Sequence, residues 1–200
     1  MTPFTRLTAL AVPLDLANVD TDQIIPARFM GRPRSDQLQG LFHDLRRTPE
    51  GDLRPEFPLN QARFAEAKIL VADRNFGCGS SRENAVSVLV DQGFRAFIAP
   101  SFGDIFFGNC FQNGALPVRL SAARVAELRA QLHARSGVQI TVDLQALQVI
   151  GPDGGIDAFE IDPFRREGLL SGQDEISLTL SQRDRIEAFE RAHQARMPWL

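Results

Sequence analysis

The segment from Lys68 to Ala99 constrains the fold of this chain more than any other. Lys68–Asp73 is an unbroken apolar strand, and Asn75–Asn84 follows it as a glycine-rich turn. Ser81 to Gln92 has helical spacing, with Val86, Leu89 and Val90 on one face and Gly93 as its stop. Phe94–Ala99 is a second apolar strand, ended by Pro100. Two strands joined through one helix within about 30 residues form a βαβ unit, which implies a parallel pair and a right-handed crossover.

Around this unit the pattern predicts further elements. Leu7–Leu14 reads as a strand ended by Pro13, and Asn18–Asp22 as a cluster of turn-forming residues. Phe102–Phe111 predicts a short helix with Ser101 as its cap, and Leu116–Arg119 a short strand. Ser121–Ala134 predicts a helix capped by Ser121, with Val125, Leu128 and Leu132 as its apolar stripe. Beyond Gly137 the period changes to two. Val138, Ile140 and Val142 alternate, Leu147–Ile150 follows, and Pro152–Gly155 is a hairpin turn into a strand over Ala158–Ile161. Pro163–Leu170 predicts a helix stopped by Gly172, Ile176–Leu180 a last strand, and Ser181 the start of a terminal helix.

From Ala27 to about Ala67 the pattern is poor, broken by Pro33, Pro49, Pro55 and Pro58 and by Gly31, Gly40 and Gly51. Only Leu38–Arg46 suggests a short helix there. With sparse apolar content, this excursion is expected to be mobile in the isolated chain. No linker, repeat or low-complexity tract divides the 200 residues. The expectation is an α/β fold, one domain over residues 1–200 with a mixed central sheet flanked by helices and a long loop at 27–67.

Hydrophobic residues make up 44% of the chain and charged residues 24%, ordinary globular usage that permits a core without staples. A net charge of −3 favours neither nucleic acid nor an anionic membrane surface as partner. No apolar run reaches the roughly 18 residues of a membrane span, and the first residues lack the basic-then-apolar order of a signal peptide. Two cysteines, Cys78 and Cys110, are too few for a disulfide scaffold and point to a reducing cytoplasm. His43, His133 and His193 stand apart, so neither a protein zinc site nor a complete iron–sulfur ligand set is expected.

The chemistry concentrates in Asn75–Asn84. Gly77 and Gly79 permit tight or left-handed backbone and close approach of a ligand. The start of the following helix offers free amides and the positive end of its dipole, which together favour an anion. Ser80 and Ser81 add hydroxyls, and Arg82 adds a planar fork suited to a carboxylate. The plainer reading makes Ser80 or Ser81 a helix cap, completed by Glu83. The Gly-x-Ser-x-Gly elbow of hydrolases is absent, and no histidine is placed to serve Ser80. Asp20 and Asp22 read either as cation ligands or as capping and solvated carboxylates. Cys78 reads either as a helix-end thiol of lowered pKa or as a small residue in a tight turn. Cys110, on an aromatic-rich segment, reads as core.

Asn18–Pro26, Asn75–Asn84 and Ile98–Phe106, together with Asp162–Arg166 and the Leu178–Leu180 ending, closely resemble the small subunits of 3-isopropylmalate dehydratase, members of the aconitase superfamily. The resemblance covers nearly the whole chain. It implies the aconitase swivel-type fold and a hydro-lyase (a lyase) of leucine biosynthesis, interconverting 2-isopropylmalate and 3-isopropylmalate. It also implies a separate large subunit that carries a [4Fe–4S] cluster, with no metal held by this chain. By the same resemblance Ser80 is the base, and Ser81 and Arg82 bind substrate. Asp22, Gly77 and Gly79 support the site, and a loop arginine, Arg34 or else Arg32, reaches the substrate.

The chain departs from the family pattern at three places. Where members commonly show Arg-Thr-Gly-Phe-Gly it has Arg34–Leu38, and where they show Arg-Glu-His it has Arg82–Asn84. A tryptophan often seen near position 45 is Leu45. These departures keep two other readings open: a related hydro-lyase acting on another 2-hydroxy diacid of citramalate, methylmalate or homoaconitate type, and a non-catalytic anion-binding module.

Overall fold

A computed structural model describes residues 1–197 and 199. Its centre is a sheet of seven strands: β1 (Arg6–Leu14), β2 (Ile69–Ala72), β3 (Ala96–Ala99), β4 (Leu116–Arg119), β5 (Gln139–Asp143), β6 (Gln148–Ile150) and β7 (Ile156–Ala158). Their spatial order is β4-β3-β2-β1-β5-β6-β7. β1 to β4 run parallel, while β5 pairs antiparallel with β1 and continues into the β5-β6-β7 meander. The predicted βαβ unit is present as β2, helix α5 (Glu83–Asp91) and β3.

The alternation of side chains along a strand divides the interior into two cores. Leu70, Ala72, Phe97 and Ala99 face one core, which also holds Val86 and Leu89 of α5. Ile69, Val71, Ala96 and Ile98 face the other, which holds Val125, Leu128 and Leu132 of helix α7 (Ala122–Ala134). Covered on both faces, β2 and β3 read in sequence as unbroken apolar runs. Pro13 does not end β1. Its register partner is Val71 of β2, and pairing with β5 stops at Leu10, so no ladder bond is lost on that side.

The excursion between β1 and β2 is not the sparse, irregular segment expected. It contains α1 (Thr21–Ile24), α2 (Ala27–Met30), α3 (Arg34–Gln37) and α4 (His43–Arg46), with three short 3₁₀ turns. Phe29, Leu41, Phe42, Phe57 and Phe64 bury themselves in the α5-side core. These anchors have no regular spacing, which is why no periodic signal marks them. The expected helix over Leu38–Arg46 is broken at Phe42, which adopts left-handed backbone at φ 50°. Asn60 then ties the excursion together, donating to the carbonyls of Arg46 and Arg54 at 2.8 Å each and accepting from Arg46 Nε at 2.9 Å.

Two further elements differ from expectation. The third strand of the meander is Ile156–Ala158 rather than Ala158–Ile161, because Gly151 N–H donates to Gly155 C=O and pairing starts directly after that turn. The expected strand at Ile176–Leu180 is helix α9 (Glu175–Leu180), following α8 (Pro163–Ser171). Asp174 caps α9 by accepting from Ser177 N at 2.6 Å, and only Leu178 of its alternating apolar residues is buried. The remaining helices are α6 (Asp104–Gln112) and α10 (Arg183–Arg196). Among the described residues, no helix is long and apolar enough to cross a membrane.

No residue of α10 is buried. Deleting residues 183–200 is therefore expected to change the unfolding free energy by less than about 1 kcal/mol, read as an unchanged urea midpoint.

Candidate active site

The three sequence motifs are the loops that leave the carboxyl ends of three adjacent parallel strands. Asn18–Asp22 follows β1, Asn75–Arg82 follows β2, and Ser101–Gly103 follows β3. In open parallel sheets such ends are where ligands bind. Here the strand pairing continues past the sheet itself, as parallel bridges between Asp20 and Cys78 and between Phe76 and Phe102. Gly77 N–H donates to Val19 C=O at 2.7 Å, and Thr21 N–H to Cys78 C=O at 2.9 Å. On the other side Phe76 N–H donates to Ser101 C=O at 3.1 Å, and Gly103 N–H to Phe76 C=O at 2.9 Å.

Ser101 is therefore not the cap of α6. Its hydroxyl accepts from Asn75 N–H at 2.9 Å, and Gly103 takes the N-cap position. Asn75, Gly77 and Gly79 all have left-handed backbone, at φ 58°, 72° and 92°. At Gly77 the need for glycine is also steric: a β-carbon there would overlap the Phe106 ring. Phe106 in turn meets Phe76 edge to face at 5.2 Å between centroids. The turn is thus held by backbone pairing on both flanks and by an aromatic floor.

Ser80 and Ser81 are exposed at the crest of this turn. Helix α5 starts at Glu83, not Ser81, because Arg82 is still extended at φ −132°. Arg82 is the N-cap residue and makes no side-chain cap, so neither serine caps the helix and the first-turn amides keep no side-chain acceptor. The Ser80 carbonyl is held by Thr21 Oγ1 at 3.0 Å, and Thr21 is only 2% exposed. Thr21 is a positioning residue that the motifs do not single out. Its one sign in the sequence is a hydroxyl between two turn-forming aspartates.

The two aspartates have separate tasks. Asp20 closes a capping box on α1: its Oδ1 accepts from Gln23 N–H at 2.7 Å while its own N–H donates to Gln23 Oε1 at 2.9 Å. Asp22 forms an ion pair with Arg82. Asp20 is thus a cap rather than a cation ligand. The structure brings Asp22, Gly77, Gly79, Ser80, Ser81 and Arg82 together.

It does not bring Arg34 to them. Arg34 donates through Nε and Nη2 to both oxygens of Asp91, at 2.8 and 2.9 Å. Asp91 is the last residue of α5 and Arg82 its N-cap, ends separated by about 13 Å of helix rise. Arg32 stacks its guanidinium over Phe29, 4.5 Å from the ring centroid. It lines a cleft of about 330 Å³ with Phe29, Leu41, His43, Arg46 and Arg47, a lining that includes none of the turn residues.

Burial pushes the Cys78 thiol up, and the Asp20 carboxylate adds to that shift. The lowered thiol pKa of a helix end is therefore not what the turn provides. Cys110 is enclosed in the core and its thiol is pushed up further. Among the described residues, no three His, Cys, Asp or Glu side chains gather where they would hold a metal.

Two measurements test this geometry. Gly77→Ala is expected to cost at least about 2 kcal/mol of unfolding free energy in urea, from left-handed strain and the Phe106 clash together. With its folded-state pKa raised, Cys78 carries less thiolate than a free thiol at pH 7–8. Alkylation of Cys78 in the native chain is expected to be slower than in the urea-unfolded chain and to accelerate only at higher pH.

Comparison with known proteins follows the same lines. Residues 1–123 match the model of the aconitase C-terminal domain, and residues 126–163 a model described as LeuD_N. Residues 175–200 match the C-terminal domain of the 3-isopropylmalate dehydratase small subunit. A 3-isopropylmalate dehydratase small subunit of Rhodospirillum centenum is 50% identical over 200 residues, covering 100% of this chain and 98% of that one. One of Paramagnetospirillum magneticum is 48% identical over 201 residues, covering 100% of both. A solved structure of 3-isopropylmalate dehydratase from Methanocaldococcus jannaschii has the same fold, with a TM-score of 0.64 at 23% identity over 92% of this chain and 99% of that one. The chain belongs to the family of 3-isopropylmalate dehydratase small subunits, built on the aconitase C-terminal domain.

Proposed function

We propose that this chain is the swivel-type half of a two-chain hydro-lyase that interconverts 2-isopropylmalate and 3-isopropylmalate in leucine biosynthesis. The observation that carries the reading is the turn of exposed Ser80 and Ser81 and half-buried Arg82, fixed at the carboxyl ends of three parallel strands in a member of that family. The reaction removes a proton from a carbon next to a carboxylate, releases hydroxide from the neighbouring carbon, and returns water in the opposite sense.

Ser80 takes the proton. The Arg82 guanidinium and the uncapped first-turn amides of α5 favour its alkoxide, because both put positive potential at the crest. Ser81 and Arg82 bind a substrate carboxylate, which competes with Asp22 for the guanidinium. Gly77 and Gly79 shape the turn, and residues 27–67 form a specificity loop within one swivel-type unit. Arg32 and Arg34 belong to that loop, away from the turn in the chain alone.

Departure of the hydroxyl needs a Lewis acid, which this chain's residues do not fit. Cys110 is enclosed, Cys78 is held in the turn with its thiol pushed up, and among the described residues no metal-ligating cluster forms. A [4Fe–4S] cluster on a large subunit supplies it in this reading, and the pair works in the reducing cytoplasm. Ile176, Leu180, Phe189 and Trp199, each more than half exposed, give apolar surface suited to a partner chain. The engagement of Arg34 by Asp91 favours one second reading, the same chemistry on a 2-hydroxy diacid with another tail.

In the reconstituted pair, Ser80→Ala is expected to lower turnover at least a hundredfold, about 2.7 kcal/mol of barrier. Near-normal turnover removes Ser80 from the base role. Arg82→Lys is expected to raise KM about tenfold through loss of the fork; an unchanged KM contradicts its binding role. Relative kcat/KM on 2-isopropylmalate and citramalate separates the two substrate readings.

A further inference from the structure

Gln37 and Thr21 are the two polar side chains buried among the described residues, at 9% and 2% exposure, and the chemistry proposed above draws only on the turn that Thr21 supports. The Gln37 amide is fully employed. Its Nε2 donates to Met30 C=O at 3.1 Å and to Arg32 C=O at 3.0 Å, closing the loop between α2 and α3 onto itself. Its Oε1 accepts from Asn84 Nδ2 at 3.0 Å. Asn84 is the second residue of α5, two positions after Arg82. The loop is therefore fastened to the first turn of the helix that starts at the Ser80–Arg82 turn. The Arg34–Asp91 pair fastens it again at the last turn.

The first fastening joins two segments 47 positions apart through their side chains alone. A buried amide left without its partner keeps its desolvation cost and loses the bond that offsets it, so neither residue changes freely without the other. We propose that Gln37 and Asn84 form a coupled clasp that sets which 2-hydroxy diacid tail this site accepts, by fastening the loop of residues 30–37 to the first turn of α5, the helix that begins at the Ser80–Arg82 turn. They are positioning residues. They act on the wall around the tail, not on the carboxylate grip or the proton. The proposal rests on the reading of Ser80–Arg82 as the substrate turn.

The clasp is tested in the reconstituted two-chain enzyme with Gln37→Met, Asn84→Ala and the double variant, each assayed on 2-isopropylmalate and on citramalate. Each single variant is expected to change the ratio of kcat/KM between the two acids at least about fivefold, through KM, with kcat on 2-isopropylmalate within about twofold. The double variant is expected to shift the ratio no further than either single one, the mark of one shared interaction. Asn84→His places a ring Nδ1–H where the amide nitrogen lies and is expected to restore the ratio. If Asn84→Ala does not assemble, Asn84→Asp keeps the shape, removes the donor and is expected to give the same shift. Unchanged ratios, additive shifts, or equal losses on both acids overturn the clasp. Arg82→Lys run alongside keeps the two ideas apart: an unchanged KM there defeats the substrate turn, while a raised KM with unchanged 37/84 ratios defeats only the clasp.

Discussion

The rest of this structure depends on hydrogen-bonded pairing that does not stop where the sheet stops. β1, β2 and β3 end at Leu14, Ala72 and Ala99, yet their outgoing loops stay in register through Asp20–Cys78 and Phe76–Phe102. Loops beyond strand ends are ordinarily the mobile part of such a fold. Here the outer two each bond to the central one, so the Ser80 crest is carried on backbone geometry rather than on side-chain packing alone. The requirement for left-handed backbone at Asn75, Gly77 and Gly79 follows from that constraint. The chain must turn repeatedly while presenting alternate N–H and C=O groups to two neighbours.

Electrostatics at the two ends of α5 complete the design. Arg82 places a cation at the positive end of the helix dipole and Asp91 places an anion at the negative end, both unfavourable on their own. Asp22 offsets the first and Arg34 the second. The two pairs differ in consequence. The Arg82 fork stands beside a first turn with no side-chain cap, so on the proposed reading an incoming carboxylate meets two attractive groups and one competitor. Arg34 is held by both carboxylate oxygens of Asp91 and stays at the opposite end.

Much of this is legible in the unfolded chain, for physical reasons that can be named. β2 and β3 announce themselves because burial on both faces leaves no polar position. α7 does so because Ser121 caps it and its stripe is regular. The glycine-rich turn stands out because few other functions require Gly77, Gly79 and two serines after a buried strand. The excursion reads wrongly as sparse because Phe29, Phe42, Phe57 and Phe64 anchor it one at a time, without a period. α9 reads wrongly as a strand because three alternating apolar residues fit a strand as well as a helix, and the decision falls to the Asp174 cap. Of the site, the residues of the turn can be named from the sequence. The contacts of Thr21 with Ser80, of Arg34 with Asp91 and of Gln37 with Asn84 cannot, since each joins residues more than 45 positions apart.

The central claim is that the Ser80–Arg82 crest is half of an active site, completed by a second chain and by a diacid. Amide hydrogen exchange over residues 75–85 tests it most directly, measured on the chain alone, with the large subunit, and with the large subunit plus 2-isopropylmalate. The account predicts little protection of the amides of 79–84 in the chain alone and a marked gain when partner and diacid are both present, with the flanking Phe76–Gly77 amides protected throughout. Equal exchange of 79–84 in all three states would contradict it.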